Sequence, residues 1–139
     1  MRPYVDSSVV LRRLLKQPGA FERWPGLETP VTSEMLQVDA LRTLDRLHVQ
    51  GRLDDGDFAD RISALHAMIG SFECVPLTRA VLRRAGRPFP TELGTLDAIH
   101  LATALLWIEQ RDEPLTFLTH DAQQALAARA CGLEVRTAP

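Results

Sequence analysis

Residues 3–8 read Pro-Tyr-Val-Asp-Ser-Ser: a short apolar run ends in a carboxylate, and two hydroxyl side chains follow it. The apolar part is short enough to be a buried strand, and Ser7 or Ser8 is placed to cap the helix that the next apolar residues continue. A second apolar run, residues 115–118, leads in a similar way to Asp121. Strands that alternate with helices along a chain predict an α/β fold with a mainly parallel sheet.

The rest of the chain continues this alternation. Ser33 is predicted to cap a long helix that Gly51 ends, with Met35, Val38 and Leu44 in its buried stripe. Residues 87–94 contain two prolines and are predicted to be a loop. Five strands are predicted: one starts near residue 30, and the others are residues 3–6, 72–75, 115–118 and 133–136. The first predicted helix follows Ser7 or Ser8, and a short helix or turn is predicted within 20–30. The later predicted helices are 33–50, 57–69, 78–87, 96–110, which Thr95 caps, and 121–131.

The composition limits the function classes. A chain of 139 residues with 45% hydrophobic and 24% charged residues is typical of one globular domain, here residues 1–139. The net charge of −2 argues against a tight, non-catalytic nucleic-acid binder, but less against a nuclease whose metal supplies local positive charge. Cys74 and Cys131 lack the spacing of a zinc site and are predicted to be reduced core thiols. We expect no signal peptide and no membrane span, and hence a cytoplasmic location.

Four aspartates occupy positions that an α/β sheet brings together. Asp6 and Asp121 follow the two predicted strands, and Asp39 and Asp97 lie on predicted helices. Open α/β sheets gather such positions in one crevice at the carboxyl ends of their strands. Because carboxylates in one crevice repel each other, the pattern predicts a bound cation. It therefore points to metal-assisted chemistry on phosphodiesters.

Three of these aspartates also have a structural interpretation as helix-terminal residues. Asp6 and Asp121 each precede a helix and can be its N-cap, and Asp97 lies in a first helical turn, where an anion is favourable. The segment around Asp97 is apolar on all sides, so a carboxylate there needs a partner. Within one turn the only basic residue is His100, and a cation is the natural candidate.

Asp39 has the strongest structural alternative, because Arg42 follows it at ion-pair spacing on the same helix. Glu34 is a competing acid, but it lies where it can cap that helix. No nucleophile elbow, glycine-rich phosphate loop or dinucleotide fingerprint occurs in the chain. A phosphatase or receiver-like domain with Asp6 as nucleophile would want a second aspartate where Ser8 stands.

Four segments carry a recognisable family pattern: YVDSS at 4–8, TSEMLQVDALR at 32–42, GTLDAIHLATA at 94–104 and LTHD at 118–121. Together they resemble the PIN-domain ribonucleases, and more narrowly the VapC toxins of bacterial toxin–antitoxin pairs. The resemblance spans residues 3–136, and LDAIHLA is its most specific part. It implies a three-layer PIN-like fold, with about four or five short strands between helices, and a metal-dependent endoribonuclease.

The resemblance also implies roles for the four aspartates as an acidic quartet that holds Mg²⁺ or Mn²⁺. Asp6 and Asp97 are the expected inner ligands, since Mg²⁺ takes only one or two carboxylates directly. Asp121 is a further metal position that orients bound water or a second ion. The family's second acid is usually Glu, so Asp39 is one methylene shorter and is expected to act through water.

Neighbouring polar residues are candidate substrate contacts under this resemblance. Ser7 and Thr119 can hydrogen-bond the phosphate or a ligand carboxylate, and His120 can contact the substrate. The candidate contacts to backbone phosphates are Arg12, Arg13 and Arg42.

The partners that the resemblance implies are an RNA substrate such as tRNA or rRNA, a VapB-like antitoxin that covers apolar helices near the site, and a second copy in a homodimer. Trp24, Leu27 and Trp107 are large side chains that suit a core or an interface. The alternative function is a catalytically inactive PIN-fold protein-interaction domain. The Asp-for-Glu change at Asp39 keeps that alternative open.

Overall fold

A computed structural model describes residues 1–26 and 28–139, which contain a five-stranded sheet. The strands are β1 Arg2–Val5, β2 Val31–Ser33, β3 Glu73–Val75, β4 Leu115–Leu118 and β5 Glu134–Arg136. Their order across the sheet is β3-β2-β1-β4-β5, and every neighbouring pair is parallel. The predicted α/β class and parallel sheet are confirmed.

Helices connect the strands in the predicted alternation. In the described residues they are α1 Ser7–Leu14, α2 Met35–Val49, α3 Asp55–Gly70, α4 Arg79–Ala85, α5 Thr95–Arg111 and α6 Ala122–Ala130. The described part of 20–30 contains bends and no helix, and Leu27 lies outside the described residues. Within the described residues, no helix combines the length and the apolarity that a membrane crossing requires.

Successive side chains of β1 enter two different apolar layers, because a strand directs neighbouring residues to opposite faces. Tyr4 packs with Trp107 of α5 in one layer, whereas Val5 packs with Leu36 of α2 and Leu65 of α3 in the other. Helices α1, α2 and α3 cover the second face, α5 and α6 cover the first, and α4 packs on α5. The sheet is therefore the middle of three layers.

Helix α2 begins later than predicted, and its buried face agrees with the prediction only in part. Ser33 is the last residue of β2, and Glu34 takes the N-cap position, although the Ser33 hydroxyl accepts the Met35 N–H at 3.1 Å. Val38, predicted to be buried, is 55% exposed. The chain enters the helix directly from the strand and turns an i, i+4 row toward the core; that row is Leu36, Ala40 and Leu44, of which Leu44 was predicted.

Two other predicted caps are also wrong. Neither Ser7 nor Ser8 caps α1; Asp6 does, since its carboxylate accepts the Val9 N–H, and the structural interpretation of Asp6 as an N-cap is confirmed. Gly94 holds the N-cap position of α5, and the predicted cap Thr95 is the first residue of that helix. The predicted loop over residues 87–94 is confirmed. Both cysteines, Cys74 and Cys131, are unpaired thiols as predicted, but they are half-buried at the edge of the core.

Candidate functional site

Asp6 and Asp121 lie at the carboxyl ends of neighbouring strands. Asp6 directly follows β1 and caps α1; Asp121 caps α6, shortly after β4 ends. Val5 pairs with Leu118 across the two strands, and the Asp6 N–H donates to the Leu118 carbonyl oxygen at 3.3 Å. From β1 the chain continues to β2 on one side of the sheet, whereas β4 lies on the other side of β1. The strand order therefore reverses between β1 and β4. In α/β sheets such a switch point forms a binding crevice.

Asp6 is almost inaccessible, with 2% of its surface exposed. Its Oδ1 accepts the Ser8 hydroxyl at 2.5 Å and the Val9 N–H at 3.3 Å. Burial raises the pKa of Asp6 to about 6; hydrogen bonds from Ser8, Thr119 and Val9 oppose this rise, and the charge of Asp97 adds to it. The carboxylate is thus held in position while its charge is poorly compensated.

Asp97 lies in the first turn of α5 and is half-buried. Burial raises the pKa of Asp97 to about 6, and the charges of Asp121 and Asp39 raise it further. Gln124 connects two of these residues, since its backbone N–H donates to Asp121 Oδ1 at 2.9 Å and its Nε2 donates to the Asp97 carbonyl oxygen at 3.0 Å. Together with Asp6, these residues form one group of interacting charges, which we call the carboxylate crevice: Asp6, Asp39, Asp97 and Asp121.

Arg42 does not neutralise Asp39, so the structural alternative for that acid is wrong. Arg42 pairs with Asp45 instead, at 3.1 Å. The capping role expected for Glu34 is also wrong, because its Oε1 accepts the Leu77 N–H at 2.5 Å and makes no cap bond in α2. Within the described residues, no ion pair involves any aspartate of the carboxylate crevice.

Hydroxyl groups join the two acidic turns. Ser8 donates to Asp6 Oδ1 and accepts the His120 N–H at 2.9 Å, so one side chain bonds both turns. Buried Thr119 accepts the Asp121 N–H at 3.0 Å, which occupies one lone pair of the predicted phosphate contact. Only a capping role was predicted for Ser8, and its position two residues after Asp6 was the signal for the bond to the Asp6 carboxylate.

His120 lies beside the crevice with one nitrogen occupied. Its Nδ1 bonds the Thr137 carbonyl oxygen at 3.0 Å, which requires the proton on Nδ1, and its ring lies 5.3 Å from that of Phe21. Burial, followed by the charge of Arg12, lowers the pKa of His120. Its Nε2 is buried and has no hydrogen-bond partner in the described part of the chain. Among the described residues, the ring therefore has an unpartnered acceptor that is closed to solvent.

Two predicted phosphate contacts have other partners in the structure. Ser7 Oγ lies 2.9 Å from His100 Nε2, and His100 Nδ1 lies 2.8 Å from the Tyr4 hydroxyl. Arg13 lies 4.8 Å above the half-buried Trp24 ring. No role was predicted for His100, although a histidine within an apolar helix must find hydrogen-bond partners when it is buried.

The donor chemistry of the carboxylate crevice fits Mg²⁺ or Mn²⁺, since both ions prefer carboxylate oxygens. Across residues 1–26 and 28–139, no three His, Cys, Asp or Glu side chains form a ready-made ligand cluster. Mg²⁺ needs only one or two carboxylates, because it keeps several waters. The raised pKa values of Asp6 and Asp97 mark uncompensated negative charge, which a cation would relieve.

Comparisons with known proteins identify the family. Residues 4–130 match the family model of the PIN domain. Ribonuclease VapC46 of Mycobacterium tuberculosis (strain ATCC 25618 / H37Rv) is 33% identical over 104 residues, which cover 73% of this chain and 72% of that protein. Ribonuclease VapC47 of Mycobacterium tuberculosis (strain CDC 1551 / Oshkosh) is 26% identical over 136 residues, with coverages of 93% and 91%. The chain belongs to the PIN-domain family and, within it, to the VapC type.

Proposed function

We propose that the protein is a metal-dependent endoribonuclease that hydrolyses RNA phosphodiester bonds, and that residues 1–139 form a single PIN domain. The observation that carries the proposal is the carboxylate crevice, where Asp6 and Asp97 have pKa values of about 6 and no ion-pair partner among the described residues. Perturbed carboxylates that gather at a switch point are typical of a catalytic site. Two similar proteins are named ribonucleases.

In this proposal Asp6 and Asp97 would hold a Mg²⁺ or Mn²⁺ ion directly, Asp121 would add a further ligand, and Asp39 would act through water. The bound ion would supply positive charge to the developing transition state at the phosphate. The Ser8 hydroxyl keeps Asp6 Oδ1 oriented toward a fixed position. Buried oxygen donors held in this way lose little conformational freedom when the ion arrives.

His120 is the proposed substrate contact. It directly precedes Asp121, and its backbone N–H donates to the Ser8 hydroxyl, which also bonds Asp6. Arg12, whose charge acts on His120, is the better candidate for a backbone phosphate contact. Arg42 is a weaker one, because Asp45 already holds its guanidinium.

We further propose that the protein is the toxin of a toxin–antitoxin pair, acts in the cytoplasm on RNA, and forms a homodimer. A VapB-like antitoxin would neutralise it by covering the crevice. Val38 and Leu96, which are 55% and 40% exposed, directly precede Asp39 and Asp97. An antitoxin segment that buries these apolar side chains would close the site at the same time.

The alternative of an inactive interaction domain has lost its main support. It depended on Asp39 being too short for the quartet, but the charge of Asp39 raises the pKa of Asp97. The charge of Asp39 therefore acts on Asp97 despite the shorter side chain.

The test is RNA cleavage by purified protein with Mg²⁺, with Mn²⁺ and with excess chelator, followed by mapping of the RNA ends. Cleavage should require the ion, and Asp97→Asn should lower the rate by at least about 100-fold, because it removes a direct ligand. Glu73→Gln is the matched control, since it neutralises an acid at the other end of the sheet and should retain cleavage. Cleavage in chelator, or by Asp97→Asn at the wild-type rate, would overturn the proposal.

A further inference from the structure

His100 links the structural elements that carry Asp6 and Asp97. It lies on α5, one turn after Asp97, and both of its ring nitrogens have partners. One partner, Tyr4, precedes Asp6 on β1, and the other, Ser7, follows Asp6 as the first residue of α1. The His100 imidazole thus bonds residues on both sides of Asp6, and it does so from α5, the helix that carries Asp97.

The network around this imidazole is closed to solvent. Tyr4, Ser7 and His100 are all buried, and the Tyr4 ring stacks on Phe117 of β4 at 5.1 Å between ring centres. A neutral imidazole donates through one nitrogen and accepts through the other, which suits two hydroxyl partners. Burial lowers the pKa of His100 to about 4, in agreement with a neutral ring at neutral pH.

We propose that His100 is a positioning residue that sets the separation of the Asp6 and Asp97 carboxylates through its bonds to Ser7 and Tyr4. The inference rests on the proposed function, since the separation matters only if both acids bind one ion. Mg²⁺ and Mn²⁺ demand defined distances between their oxygen ligands. An alternative is that the network only stabilises the fold, as any satisfied buried polar group does.

The experiment measures Mn²⁺ affinity of the metal-free protein by calorimetry, well below the melting temperature of each variant. Tyr4→Phe and Ser7→Ala each remove one bond to the imidazole and leave the ring and its packing in place. Each should weaken Mn²⁺ binding by several-fold, and His100→Ala by about tenfold or more, as for other residues that orient metal ligands. In the His100→Ala background the Ser7→Ala change should have no further effect, because the shared bond is already lost.

Conservative variants and a matched control separate positioning from folding. An asparagine can replace Nδ1 and a glutamine Nε2, so His100→Asn and His100→Gln should each restore part of the affinity that His100→Ala loses. Trp107→Phe is the control: this residue is also buried on α5 but bonds Glu73 at the other end of the sheet. It should lower thermal stability and leave Mn²⁺ affinity unchanged.

The outcomes distinguish this inference from the proposed function. Wild-type protein that binds no Mn²⁺ would overturn both. Wild-type protein that binds Mn²⁺, with unchanged affinity in Tyr4→Phe and Ser7→Ala, would overturn the positioning role alone. If His100→Ala does not fold, these two variants still decide the question, because each deletes a single hydroxyl group.

Discussion

The two ends of the sheet treat their acidic side chains in opposite ways. At the amino end, Glu73 accepts hydrogen bonds from Arg2 at 2.9 Å, Arg111 at 2.5 Å and the Trp107 indole at 3.4 Å. Both arginines also lie over the Trp107 ring, at 5.4 Å and 4.9 Å from its centre. At the carboxyl end, the four aspartates of the carboxylate crevice have no ion-pair partner among the described residues.

This contrast separates an acid that the protein neutralises itself from the acids that we propose bind a metal ion. The protein neutralises Glu73 with its own arginines and needs nothing further there. In the crevice it supplies only neutral donors, such as the Ser8 hydroxyl and the Val9 N–H, to Asp6. These hold the carboxylate without cancelling its charge. The uncompensated charge destabilises the metal-free protein, a feature that natural proteins tolerate mainly at functional sites.

Opposite stability changes should follow when one acid is neutralised at each end. Asp6→Asn should stabilise the metal-free protein at pH 7 by up to about 3 kcal/mol, because the pKa rises from 3.8 to about 6 on folding and each unit is worth about 1.4 kcal/mol. Asparagine can still accept the bonds from Ser8 and Val9. Glu73→Gln should destabilise by about 1–2 kcal/mol, since Arg2 and Arg111 lose a charged partner.

Urea denaturation in chelator at pH 7 measures both free energies of unfolding. Wild-type protein with saturating Mn²⁺ serves as a reference. Bound Mn²⁺ should stabilise the wild-type protein, as Asp6→Asn does in the absence of metal. A loss of stability in both variants would mean that the crevice is compensated after all. The contrast between the two ends of the sheet would then be wrong.

A smaller effect is expected on the pH dependence of stability. The folded pKa values of Asp6 and Asp97 lie above 3.8, so the folded state holds more protons than the unfolded state between about pH 4 and 6. The stabilisation that these two raised pKa values give to the folded state is fully present below about pH 4 and is lost as the pH rises through about 6. From pH 7 to pH 5, Asp6 alone should add about 1 kcal/mol to the free energy of unfolding of the metal-free protein.

Denaturation at pH 5, 6 and 7 tests this, with Asp6→Asn as the control that should lose most of the gain. Saturating Mn²⁺ should reverse the trend, because metal binding requires the deprotonated carboxylates. Stability that falls steadily from pH 7 to pH 5 in metal-free wild-type protein would contradict the raised pKa values.

The sequence predicted which elements of the fold carry the aspartates of the carboxylate crevice. A strand followed by an acid is a local pattern, and parallel strands bring their carboxyl ends to one side of a sheet, so Asp6 and Asp121 could be placed together from the sequence alone. Asp97 was predicted to lie near these two residues, because it belongs to the first turn of a helix. The strand at 115–118 matches β4 residue for residue, because a buried apolar run between turn residues leaves little freedom.

The details that sequence missed depend on partners far apart in the chain. Ser8 and His120 are separated by 112 positions, and Ser7 and His100 are separated by 93 positions. No local spacing encodes such bonds. Arg42 could pair with either Asp39 or Asp45 at equal spacing along one helix, and only the packed structure shows that Asp45 is its partner.

The smallest effect is expected at Arg42, the cation closest in sequence to an acid of the crevice. Its pair with Asp45 is exposed, and such pairs contribute between zero and about 1 kcal/mol. Arg42→Ala should therefore change the free energy of unfolding by less than about 0.5 kcal/mol and RNA cleavage by less than about twofold. Arg111→Ala, which removes a partner of Glu73, should cost more stability. If Arg42→Ala instead raised the pKa of Asp97 in an NMR titration, Arg42 would be compensating the crevice, and the carboxyl end would resemble the amino end after all.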